Sequence, residues 1–181
     1  MQLINDRHGV DSSGSPTLWY RMERMDWDNI VLEKRIAYTN IVVDSALDLM
    51  ELYNVQNLNF VLLLDNLSPI EMIKHPRIGP AFLKSFIQRC PEHRLKNAIM
   101  VTGTTGSVFY KIAKSLAPKK LIEKITVVNS REDAANLLLD YKVFKSKDEV
   151  PTFMGGNGRD HSDEVTKSLP NMLSSVCAAM K

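Results

Sequence analysis

Four short apolar runs, separated by longer stretches with helical spacing, constrain this chain more than any other feature. Thr17–Met22 is rich in β-branched and aromatic residues, with Leu18, Tyr20 and Met22 on one side and Thr17, Trp19 and Arg21 on the other. Phe60–Leu64 is a continuous apolar run bounded by Asn57 and Asn59 before it and the Asp65-Asn66 turn after it. This pattern predicts a strand buried on both faces. Ala98–Thr102 and Ile125–Val128 are two more strands of the same kind. Between them, Ile36, Val43, Ala46, Leu47 and Met50 recur at helical spacing, with Asp44, Asp48 and Glu51 off that stripe. The spacing predicts a helix from Asp28 or Leu32 to Tyr53. Further helices are predicted over Pro80–Arg89, which Pro91 stops, and over Val108–Leu116, which Pro118 ends. Lys120–Lys124 reads as a short basic turn, and Glu132–Leu139 as a short helix capped by Ser130. Strands alternating with helices make the fold class α/β, with a mainly parallel β-sheet flanked by helices.

Composition narrows the function classes. A chain of 181 residues fits one domain, and 44% hydrophobic with 24% charged residues excludes a disordered chain. Lys and Arg number 23 against 21 Asp and Glu, too even for a dedicated nucleic-acid binder, so no nucleic-acid partner is expected. Two cysteines, Cys90 and Cys177, make no disulfide framework and fit a reducing compartment. The first residues lack a secretory pattern, and no run approaches the ~18 apolar residues of a membrane span. A cytoplasmic protein is expected, with membrane contact of the peripheral kind.

Catalytic chemistry leaves few marks. His8, His75, His93 and His161 are scattered, and neither cysteine sits at metal-ligand spacing, so no metal is expected. Gly103-Thr104-Thr105-Gly106-Ser107 follows a strand and opens a helix, a position suited to an anion. It lacks the Lys-Ser/Thr pair of a phosphate-binding loop, and no cofactor is expected. A nucleotide-dependent enzyme is therefore a minor reading. Asp65 closes an apolar strand, where it could serve as a catalytic acid or cap the turn. No nucleophile elbow occurs. What remains is a set of apolar strand faces that could line a cavity or form an ordinary core.

The order of short motifs adds a resemblance. Asp11-Ser12-Ser13-Gly14-Ser15-Pro16 before the first strand, Phe60–Asp65 followed by Ser68, and Cys90-Pro91-Glu92-His93-Arg94-Leu95 resemble successive elements of the CRAL-TRIO family of lipid carriers. Phe109–Leu116, Lys124-Ile125 and Val150–Gly156 are similar to the elements that follow in that family. Ser15 stands where the family has Arg, Cys90 replaces a Tyr, and Thr102–Thr105 replaces an Asn-Ala-Pro turn. The family's preceding helical lobe has no counterpart here, which leaves open a larger host protein.

The resemblance implies a sheet floor, an apolar ligand pocket and an amphipathic gate helix over its mouth. It assigns the pocket lining to Leu18, Tyr20, Met22, Phe60, Leu62, Leu64, Ala98, Met100 and Thr102, and the gate to Val108, Phe109, Ile112 and Leu116. Lipid head-group contact falls to Asp11, Glu92 and Lys124, whose alternative role is ordinary surface charge. Residues 1–156 would be the lipid-binding domain and 157–181 a polar tail with a short helix over 169–180. The implied function is non-enzymatic binding and transfer of a phospholipid, such as phosphatidylinositol, or another lipophile. The alternative is a protein-interaction or membrane-docking module with a collapsed pocket. Lys114, Lys119, Lys120 and Lys124 could meet anionic lipids during transient membrane contact, or simply favour helix ends.

Overall fold

Parallel strands buried on both faces need helices above and below them, and the computed structural model has that arrangement. It describes residues 2–3, 11, 13–52, 54–103, 106–158 and 160. The helix expected over 169–180, with most of the expected tail, lies outside these. Among the described residues, five strands form one sheet in sequential order: β1 (Gln2–Leu3), β2 (Thr17–Arg21), β3 (Leu58–Leu63), β4 (Leu95–Val101) and β5 (Ile125–Val128). β1 runs antiparallel to β2, and the other four are mutually parallel.

The connections are α1 (Leu32–Leu52), α2 (Pro69–Lys74), α3 (Ile78–Arg89), α4 (Gly106–Leu116) and α5 (Lys119–Ile122), with α6 (Arg131–Asp140) after β5. Sequential parallel strands with crossovers of one hand place the connecting helices on one face. Side-chain alternation obeys this. Leu18, Tyr20, Phe60, Leu62, Ala98 and Met100 face the layer of α1 and α3. Trp19, Val61, Leu63, Ile99 and Val101 face α6 and the segment Val143–Met154.

Local chemistry explains the boundaries. Met22, expected to extend its strand, starts a 3-10 turn, Met22–Arg24. β3 and β4 begin earlier than their apolar runs because Asn59 and Asn97 pair across the sheet, the Asn97 amide donating to Asn59 at 2.9 Å. Ser130 caps α6 as expected, accepting from the Asp133 amide at 3.0 Å. α2 was not expected, although Ser68-Pro69 carries its signal. Ser68 Oγ accepts from the Ile70 amide at 3.2 Å, and Pro69 occupies the first turn. Gly103 has φ +53°, and a Cβ there would sit 2.9 Å from the Asp65 carbonyl oxygen, so the loops after β3 and β4 meet only because it is glycine.

Candidate functional site

The apolar face begins with strand residues that have little choice of direction. Leu18, Tyr20, Met22, Phe60, Leu62, Leu64, Ala98, Met100 and Thr102 are all buried. α3 supplies their cover. Its Phe82 ring lies 4.1 Å from that of Tyr20, and its Phe86 ring lies 4.5 Å from that of Phe60, centroid to centroid. The gap left among Phe60, Phe86, Met100 and Leu121 is about 30 Å³, space on the scale of a water molecule. The expected lining residues thus share one face, and aromatic rings fill the volume above it.

Open apolar space lies at the carboxyl ends of the strands. A groove of about 220 Å³ runs between the turn after β2, the start of α3 and the start of α4. Met22, Leu67 and Ile78 are its buried members, and Ile73 of α2 and Val108 of α4 stand at its rim, 78% and 53% exposed. Trp27 and His75 close one side, their rings 5.7 Å apart. Among the assigned gate residues, Val108 borders this groove and Leu116 is exposed, while the Phe109 and Ile112 side chains lie outside the described residues. Sequence reasoning missed the groove because α2, which forms its rim, is only six residues long.

The three assigned head-group residues gather at the opposite end of the sheet. The Asp11 carboxylate is wholly enclosed. It accepts from Lys96 Nζ at 2.7 Å, Asn59 Nδ2 at 3.2 Å, and the Ser13 and Ser15 amides at 2.8 and 3.0 Å. Burial works to raise its pKa, but the hydrogen bonds from Lys96, Ser13, Asn59 and Ser15 outweigh it and hold the pKa below the ordinary value. Lys124 Nζ donates to the carbonyls of Glu92 and Leu95 at 2.7 and 2.5 Å. Lys124 and Glu92 are therefore joined through the Glu92 backbone, and the six-residue span of β3 puts them roughly 17 Å from the groove.

A second polar cluster flanks the groove. Arg131, at the start of α6, grips Asp65 through Nε at 2.6 Å and Nη2 at 3.1 Å. It also donates to Glu23 at 3.3 Å and to the Phe153 carbonyl at 2.8 Å. Asp65 is thus one half of an ion pair, where either a catalytic acid or a turn cap was expected. Arg21 completes the cluster through Glu23 and Asp160, its guanidinium carbon 4.1 Å from the Phe153 ring centroid. Cys90 is buried against the helical layer, and burial pushes its thiol up to about 11 against the opposing pull of Arg94 and Lys124. At neutral pH it is a thiol, a poor nucleophile.

Comparison with known proteins agrees with this arrangement. The sequence pattern described as the CRAL/TRIO domain matches residues 3–156, from β1 through the turn that ends at Gly156. No curated protein matches the chain.

Proposed function

The chain belongs to the CRAL/TRIO domain family, generally a lipophile-binding module, and from this premise we propose that it binds one lipophilic molecule and carries it between membranes. The observation that carries the reading is the groove. It is lined almost wholly by apolar atoms, it opens at the rim between α2 and α4, and its floor residue Met22 continues the apolar face of the sheet. Each methylene buried there contributes about 0.8 kcal/mol, so an acyl chain leaving a bilayer finds a comparable environment. A full-length chain exceeds the space now open, so loading requires α3 and α4 to part and Phe82 and Phe86 to leave the strand face. Contact of Lys124 with a head group requires it to exchange two backbone carbonyls for the ligand.

Native mass spectrometry of the purified chain, followed by organic extraction, tests the reading. The expected result is one lipid per chain, either as purified or after incubation with liposomes. Co-purified phosphatidylinositol would select the head-group assignment.

The filled face favours one other reading. With Phe82 and Phe86 packed on Tyr20 and Phe60, the domain could serve as an interaction or membrane-docking module with a permanently collapsed pocket. A chain that stays empty after liposome incubation and takes up no lipophilic dye would establish this alternative.

A further inference from the structure

An outer strand of a sheet leaves half of its backbone groups without a ladder partner, and proteins guard such a strand with a lysine, a proline or a bulge. Among the described residues, β5 is the outer strand beyond β4. The Ala98 amide donates to the Lys124 carbonyl at 3.2 Å, and the Thr102 amide donates to the Val128 carbonyl at 2.9 Å. Residues 124 and 128 therefore turn toward β4. The two-residue alternation of a strand turns Thr126 the same way and directs the amides and carbonyls of Ile125 and Val127 outward. No described residue donates to or accepts from these four groups.

The strand has none of the usual guards. Its sequence, Ile125-Thr126-Val127-Val128, is wholly β-branched, and it pairs with β4 in unbroken register. Lys124, beside it, is turned inward onto the carbonyls of Glu92 and Leu95. Val127 is 38% exposed.

Charge is divided between the two ends of the strand. α5, which leads into it, carries Lys119 and Lys120, and the first turn of α6, which follows it, carries Glu132 and Asp133. All four are exposed. Lys119 pairs with Glu123 at 4.0 Å, and Asp133 accepts from the Ser130 hydroxyl at 2.7 Å. Lys120 and Glu132 make no ion pair among the described residues.

We propose that β5 pairs antiparallel with β5 of a second copy of this chain, about a two-fold axis at Thr126. Ile125 of one copy then stands opposite Val127 of the other, and each copy's outward amides donate to the other's outward carbonyls. The same rotation lays the basic end of each strand beside the acidic end of its partner. That self-complementary charge selects a second copy as the occupant. It also selects the antiparallel pairing, since a parallel one would set like ends together. The contact is smaller than that of an obligate dimer, so the association is weak and reversible.

Sedimentation velocity of the full chain over about a hundred-fold range of concentration tests the proposal. The wild-type chain is expected to shift from monomer toward dimer as concentration rises. Val127→Lys places a cation on each edge beside the axis and is expected to weaken association about ten-fold or more. Lys120→Glu and Glu132→Lys are each expected to weaken it about three-fold, and the two together to restore it, because the exchange remakes the pair with its signs reversed. These side chains are exposed, so folding is retained, and circular dichroism of each variant checks that. A chain that stays monomeric at every concentration would overturn the proposal. So would a dimer that Val127→Lys leaves intact, because its interface would lie elsewhere. A charge exchange that fails to restore association would overturn it too, because the two ends would then not face each other.

Discussion

Asp11 shows what a single residue of the matched motif does here. The resemblance assigned it to head-group contact; in the fold its partners are the serines of its own loop and residues of two other segments. Spacing along the chain cannot reveal that Lys96 and Asn59 will close around it. Its folded-state pKa is lowered, so its contribution to stability is present above the ordinary carboxylate pKa of 3.8 and is lost as pH falls through the folded value. Asp11→Asn is therefore expected to lower stability by about 2 kcal/mol at pH 7. The difference from wild type should shrink as pH drops below 3.8, with urea titrations across pH as the measurement. A constant difference down to the lowest pH that keeps the fold would show that the carboxylate charge contributes nothing. Asp65 makes the complementary point. Its position at a strand end was legible, but its partner Arg131 lies 66 residues away and could not be read from local pattern.

At the scale of elements, the strands and the long helices were legible because burial on two faces forces continuous apolar runs and burial on one face forces a stripe. Helix α2 was not, because six residues hold too little periodicity to register, and its cap and proline were the signal available. The pocket is a different case. The apolar residues assigned to the lining are buried in one cluster, but whether space remains above them depends on how Phe82 and Phe86 of α3 pack, and one sequence does not fix packing. Phe86→Ala separates the ring's two effects. It is expected to destabilise the chain by about 3 kcal/mol and, under the carrier reading, to increase uptake of a lipophilic dye. Lost stability with no gain in dye uptake would mean that the rings seal a core no ligand enters.

The whole molecule is a sheet with two unlike coverings. Above it lie α1, α3 and α4, beside an open groove and an exposed apolar rim. Below it, Trp19 packs stacked on Phe144 at 6.3 Å and edge-on to Phe153 at 5.2 Å, and Arg131 fastens α6 to the ends of β2 and β3. Hydrogen exchange followed peptide by peptide should find the amides of α3 opening at lower free energy than those of β3, β4 and α6. Simultaneous exchange of all four in one cooperative event would rule out ligand entry by local opening.

The sheet in this picture works as a bulkhead. Under the carrier reading, a guest lodged above is parted from the tryptophan packed below by this wall of paired strands. The sequence has two tryptophans, and they sit on opposite sides of that wall: Trp19 is sealed below, and Trp27 lines the groove. Cargo that enters above should therefore change one emission band and leave the other unmoved, and the molecule already holds its own reference beside its own sensor.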